Sequence, residues 1–157
     1  MHLVIRIAKW SLLGLSLALS GCGGDDDKKS GGNPETFIGT WNVTSGTVTL
    51  GGDCGNETSP LMGSVVFTKG STSDLVANFD DCPLKFDVSG NNATAQGGQN
   101  CTVSDSGFTG TLTYSSLIFS SSDAKVATVS GSGTIQLTGG GLTIACTQSI
   151  TGSLQKL

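Results

Sequence analysis

Alternation of apolar and polar residues with a period of two runs through most of the chain after residue 36, and this pattern restricts the fold more than any other feature. Leu84, Phe86 and Val88, for example, alternate with polar residues, as expected for a strand with one buried face. Segments rich in Gly, Asn and Ser separate such stretches and favour turns. The pattern predicts an all-β domain over 37–157.

The strand regions follow one another at the spacing of hairpins. They are predicted at 37–50, 62–68, 75–79, 84–88, 93–103, 108–114, 125–138 and 142–150. About eight antiparallel neighbours joined by short turns form a meander, which protects its edges best by closing into a barrel. A closed barrel is therefore favoured over a β-sandwich, which is the alternative. Five rings could plug the interior of such a barrel, those of Phe67, Phe79, Phe86, Phe108 and Phe119.

Cysteine usage indicates an oxidising compartment. The sequence has five cysteines, and if Cys22 serves another purpose, four are left: Cys54, Cys82, Cys101 and Cys146. An even number in a secreted domain predicts disulfides, here two. The alternative is a zinc site, which is disfavoured because the chain has no C-x-x-C spacing and no histidine after His2.

Hairpin geometry narrows the three possible disulfide connectivities to one. In a hairpin whose turn is centred on the Asn pair at 91–92, Cys82 and Cys101 face each other. The second bridge then joins Cys54 to Cys146. Barrel closure makes the first and last strands neighbours, so the closed barrel and this pairing support each other.

The N-terminus carries the features of an export signal. Arg6 and Lys9 precede an apolar run at 10–19, which is about half the length of about 20 residues that a membrane-spanning helix needs. Small residues at 20 and 21 then precede Cys22, and this sequence resembles a bacterial lipobox. The resemblance implies that residues 1–21 are removed and that Cys22 receives acyl chains such as palmitate. The alternatives are a secretory signal cut elsewhere and an uncleaved N-terminal anchor.

Residues 22–36 are predicted to form a lipidated cysteine followed by a flexible acidic tether, because 23–34 contain no apolar side chain to bury. Gly23 is not the aspartate that retains many such lipoproteins in the inner membrane, which favours the outer membrane. The triplet Asp25, Asp26 and Asp27 resembles surface-export signals of some lipoproteins. Its alternative is a simple solubilising role, so the protein is expected to face either the periplasm or the cell surface.

Charge and composition exclude several functions. The full chain has a formal net charge of −4, and no arginine follows Arg6, so the clustered cations of a nucleic-acid interface are missing. Without a histidine after His2, the Ser-His and Cys-His nucleophile pairs are excluded from the exported chain. We therefore expect no enzyme, no cofactor and no metal.

Two acidic groups are the remaining candidates for chemistry. Asp80 and Asp81 form one pair, and Asp53 and Glu57 form the other. Either pair could act in acid–base catalysis or bind calcium through its oxygens. Both flank turns and cysteines without the alternating acidic spacing of a calcium loop, so solvated turns are the ordinary explanation.

The tripeptide Gly39-Thr40-Trp41 resembles the Gly-X-Trp opening of lipocalin-like (calycin) barrels. The resemblance implies that Trp41 plugs one end of an eight-stranded barrel and that a cation from the far end of the chain covers it. That cation is usually arginine, which this chain lacks there, so the lid is either Lys156 or absent. The alternative is that Trp41 is a core aromatic residue of any all-β domain.

These features together predict a monomeric, lipid-anchored outer-membrane protein that acts by binding. The first hypothesis is a calycin-like barrel around a small lipophilic ligand. The alternative is a structural or protein-binding envelope module, such as an enzyme inhibitor. Whether side chains fill the interior discriminates between the two.

Overall fold

The computed structural model describes residues 31–79, 82–105 and 107–157. A short 3-10 helix, Pro34–Thr36, precedes the first strand. The strands are β1 (Gly39–Gly52), β2 (Thr58–Pro60), β3 (Ser64–Lys69), β4 (Leu75–Phe79), β5 (Cys82–Ser89), β6 (Asn92–Ala95), β7 (Asn100–Asp105), β8 (Phe108–Ser120), β9 (Val126–Gly139) and β10 (Leu142–Lys156). The predicted all-β class is confirmed.

The strands close into an eight-strand antiparallel barrel, as predicted, and not into a sandwich. The ring runs β1, β3, β4, β5, β6, β8, β9 and β10, and β10 pairs again with β1. We call the β1–β10 pairing the seam; it extends from Trp41 opposite Lys156 to Gly52 opposite Cys146. Strands β2 and β7 lie outside this ring and lengthen the pairing of β1 and β8 respectively.

Both predicted disulfides are confirmed. Cys54–Cys146 and Cys82–Cys101 each join Cα atoms 5.4 Å apart, across sequence separations of 92 and 19 residues. In the loop-entropy account, bridges that close about 100 and about 15 residues stabilise a fold by about 4.7 and about 3 kcal/mol. The longer bridge covalently joins the two strands of the seam, because Cys54 lies two residues after the end of β1 and Cys146 lies in β10.

A β-bulge in β1 and another in β8 reverse which side of each strand faces the barrel interior. The register shifts between Val43 and Ser45 in β1 and between Tyr114 and Ser116 in β8. Each shift inserts a single residue, so the inward positions of β1 change from odd numbers, such as Trp41, to even numbers, such as Leu50. The strands can therefore bend around the barrel without exposing their apolar side.

The turn between β5 and β6 corrects the predicted hairpin register. Ser89 pairs with Asn92, so the turn is the dipeptide at 90–91, with Gly90 at φ 56°, and the prediction of a turn centred on 91–92 is wrong. Continued along the hairpin, the observed register would place Cys82 opposite Gln99 and not opposite Cys101. The disulfide forms because the segment 96–99 adds residues to the returning strand between β6 and β7.

The amide of Gln99 keeps this inserted segment attached to β5. Its Oε1 accepts a hydrogen bond from the Lys85 backbone N–H at 2.7 Å, and its Nε2 donates to the Lys85 carbonyl at 2.8 Å. The same Nε2 donates to the Gln96 carbonyl at 2.9 Å. The side chain thus supplies a donor and an acceptor to the backbone of β5 where β6 has ended and β7 has not begun.

Replacing Gln99 by alanine is expected to lower the free energy of unfolding by about 1–2 kcal/mol, because hydrogen bonds in partly exposed positions are each worth about 0.5–1.5 kcal/mol. Urea unfolding measures the loss. Gln136→Ala, on the exposed face of β9, is the matched control and should stay within about 0.5 kcal/mol of the wild type. Equal effects of the two substitutions would show that the Gln99 amide does not hold the segment.

Candidate functional site

The chain segment before β1 plugs one end of the barrel. Asn33 Oδ1 accepts the Glu35 N–H at 3.1 Å and starts the short helix, after which Phe37 enters the interior and is fully buried. Gly32 lies against the β5–β6 turn so closely that a Cβ there would come within 2.8 Å of Val88 Cγ1. We call this the plugged end; the end with the Cys54–Cys146 bridge is the opposite end.

Trp41 and Lys156 form the centre of the plugged end. The indole is 1% exposed, and its Nε1 donates to the Phe37 carbonyl at 2.6 Å. Lys156 Nζ lies 5.5 Å from the centre of the indole ring, within cation–π range, and donates to the Thr36 carbonyl at 3.3 Å. The indole is therefore fixed by a hydrogen bond to the Phe37 carbonyl, and the ammonium group of Lys156 lies over its ring.

Phenylalanine rings fill the interior behind Trp41. The centroid of Phe67 lies 5.3 Å from that of Phe86 and 5.0 Å from that of Phe119, both in edge geometry. Phe79 and Phe37 flank this cluster at centroid distances of 6.2–6.5 Å. Four of the five rings predicted to plug the barrel thus meet.

Phe108, the fifth ring of that prediction, lies elsewhere. It starts β8 at the opposite end, where a Cβ on Gly139 would lie 2.8 Å from its Cδ1. Phe37 takes its place in the cluster. The predicted strand region 37–50 included Phe37 but did not assign it to the plug, and in the structure Phe37 precedes β1, which begins at Gly39. Its signal in the sequence is only that it is a large apolar residue two positions before Gly39-Thr40-Trp41.

Leucines packed on glycines narrow the interior at mid-height. A Cβ added to Gly152 would lie 3.0 Å from Leu61 Cδ2, and a Cβ added to Gly131 would lie 2.8 Å from Leu117 Cδ1. Toward the opposite end, the buried interior residues include Cys101, Leu112, Ile135, Leu137 and Cys146. Side chains of the protein therefore occupy the barrel along its height.

Two depressions lie outside this core and are open to solvent. One of about 500 Å³ crosses the outer face of β8, β9, β10 and β1. Its lining is mostly hydroxyl-bearing: Thr49, Ser115, Ser132, Thr134, Thr147 and Ser149. A second, of about 350 Å³, lies at the plugged end between Asn91 and the β8–β9 loop.

The carboxylates of Asp53 and Asp123 hold the backbone of loops. Asp53 Oδ2 accepts the Ala145 N–H at 3.0 Å and so ties the β1–β2 loop to β10. Asp123 Oδ1 accepts the N–H groups of Val126 and Lys125 at 3.0 and 2.9 Å, and these bonds lower the pKa of Asp123, that from Val126 most. Within residues 31–79, 82–105 and 107–157, no group of three or more His, Cys, Asp or Glu could hold a metal ion.

Several predicted features lie outside the described residues. Cys22, the signal and most of the tether precede residue 31, and Asp80 and Asp81 fall in a gap. In the described part of the chain, no helix is long and apolar enough to cross a membrane. No protein-family model, curated protein or solved structure matches the chain.

Replacing Lys156 by methionine is expected to lower the free energy of unfolding by about 1–2 kcal/mol, because the cation–π contact and the bond to Thr36 are lost while the aliphatic packing is kept. Lys156→Arg should retain most of the stability, since it preserves the charge. The matched control is Lys85→Met on the exposed wall of β5, expected within about 0.5 kcal/mol of the wild type. A loss for Lys156→Arg as large as that for Lys156→Met would contradict a role for the cation.

Proposed function

We propose that the protein is a lipid-anchored envelope lipoprotein whose barrel binds another protein through its outer surface or loops. The proposal rests on the filled interior of the barrel. Side chains occupy it from Trp41, through the cluster of Phe67, Phe86 and Phe119, to the buried disulfide at Cys146. A lipocalin-like ligand would need the volume that these side chains occupy. The filled interior therefore favours the protein-binding hypothesis, with enzyme inhibition as one form, over the small-ligand hypothesis.

Two features support a calycin-like barrel as the scaffold. The eight strands close as a meander, and the cation of Lys156 covers the indole of Trp41 from the last strand. In the lipocalin-like barrels that the Gly39-Thr40-Trp41 tripeptide resembles, the cation over the tryptophan is usually an arginine. A lysine can replace it because the attraction depends on a positive charge above the ring.

Binding without catalysis is supported by the side chains that the barrel presents. No histidine follows His2 and no arginine follows Arg6, and four of the cysteines are in disulfides. The carboxylates of Asp53 and Asp123 are hydrogen-bonded to loop backbone. We accordingly propose a monomeric, non-enzymatic protein that needs no cofactor.

The proposed anchor predicts that Cys22→Ala leaves the membrane fraction when expressed in a Gram-negative host, because two or three acyl chains at about 0.8 kcal/mol per methylene otherwise hold the protein. Immunoblots of carbonate-washed membranes and of soluble fractions measure this. Cys22→Ser is a second unlipidated variant and should behave in the same way. Persistence of either variant in washed membranes would point to an uncleaved signal helix.

The filled interior predicts that the wild-type protein takes up no small apolar probe. Phe119→Ala should create a cavity at a cost of about 3–5 kcal/mol, and apolar cavities of about 150 Å³ bind benzene or xenon. Benzene binding is followed by NMR shifts of the interior methyl groups, after circular dichroism has shown that the variant is folded. Saturable binding of benzene or a fatty acid by the wild type would instead support the small-ligand hypothesis.

A further inference from the structure

We infer that the barrel stands on the lipid bilayer, with the plugged end against the headgroups and the opposite end directed outward. The inference rests on the proposed lipid anchor at Cys22. It follows from where the anchored segment joins the barrel and from how the charges are distributed between the two ends.

The segment from the anchor joins the barrel at the plugged end. Gly32 already lies on the β5–β6 turn, and ten residue steps separate it from Cys22. A chain of that length spans at most about 33–36 Å when fully extended. The barrel is of similar height, since β9 has 14 residues, which at about 3.3 Å each and a tilt of about 40° reach about 35 Å. An inverted barrel would therefore need a completely stretched tether, at a large cost in entropy.

Three of the four described lysines lie toward the plugged end. Lys69 ends β3, Lys125 precedes β9 and Lys156 ends β10, while Lys85 lies on the wall of β5. Lys69 and Lys125 are exposed, and the apolar side chain of Val126, beside Lys125, is 52% exposed. Exposed cations next to an apolar side chain suit the headgroup region, where a lysine stem can lie along apolar surface while its charge meets phosphate.

The acidic residues strengthen this asymmetry. The opposite end carries Asp53 and Glu57, and no lysine among the residues that the structure describes. The plugged end carries Glu35, Asp74 and Asp123 beside its three lysines, and Asp87 lies with Lys85 on the wall of β5. An anionic membrane surface therefore repels the opposite end more than the plugged end.

Amine labelling tests the orientation on the full-length, lipidated chain. The protein is reconstituted into phosphatidylethanolamine–phosphatidylglycerol vesicles or held in neutral detergent, then treated with a membrane-impermeant acylating reagent. Mass spectrometry gives the rates at Lys69 and Lys125 relative to Lys85 in the same molecule. We expect both relative rates to be about five-fold lower in vesicles, the factor that corresponds to about 1 kcal/mol per lysine near an anionic surface.

A variant pair separates contact with lipid from other causes of protection. Lys125→Glu should raise the labelling of Lys69 in vesicles, because the plugged end then carries less positive charge. Lys85→Glu, on the wall, should leave it unchanged. Circular dichroism and non-reducing mass spectrometry verify that both variants keep the fold and the disulfides.

Three outcomes would overturn the inference. Retention by vesicles with Lys69 and Lys125 labelled as fast as Lys85 in both media would mean that the anchor holds but the barrel is not oriented. Rates below that of Lys85 by the same factor in vesicles and in detergent would assign the protection to the acidic tether, Asp25 to Asp27. Loss of the wild-type protein from the vesicles would refute the Cys22 anchor itself, and the orientation would fall with it.

Discussion

The hydrogen-bonded seam between β1 and β10 is the interaction on which the rest of the structure depends. Without it, the meander would be a curved sheet with two free edges and an apolar face open to water, which is a hazard for aggregation. Each end of the seam carries a further link. Lys156 lies over Trp41 at the plugged end, and Cys54–Cys146 joins the strands at the opposite end. Closure, the plug and the long disulfide are therefore parts of one arrangement.

Closure also determines what the barrel can do. Eight strands enclose a space that side chains can fill, and here Phe67, Phe86 and Phe119 fill it near the plug. At mid-height, Leu117 and Leu61 pack against Gly131 and Gly152, which have no side chain to block them. What remains for recognition is the outer face, the loops and the ends, which is why we place binding there.

The sequence predicted the barrel from the period-two alternation of its strands, and two disulfides from the four cysteines after Cys22. Alternation in β5 identified Leu84, Phe86 and Val88 as inward residues, and all three are fully buried. Closure followed from the need to protect the edges, and it brought Cys54 and Cys146 together as predicted.

Local irregularities were not predictable in the same way. The bulge between Val43 and Ser45 depends on how β10 pairs with β1, which no local pattern records. The β5–β6 turn is displaced from its predicted centre, and the segment 96–99 compensates for the displacement. The correct disulfide Cys82–Cys101 was thus predicted from a wrong register. Phe37 was missed as a plug and Phe108 was wrongly assigned to it, since a strand pattern gives the face of a residue but not its height in the barrel.

The β1–β10 seam can be tested most directly by amide hydrogen exchange in the native, disulfide-bonded protein. A closed barrel predicts that the amides hydrogen-bonded across the seam, such as those of Thr49 and Ser149, which face each other, exchange as slowly as those paired between β9 and β10. The amides of Gly97 and Gly98, exposed between β6 and β7, should exchange much faster. Fast exchange along the whole seam, with slow exchange kept between β8 and β9, would mean an open sheet and would contradict the account.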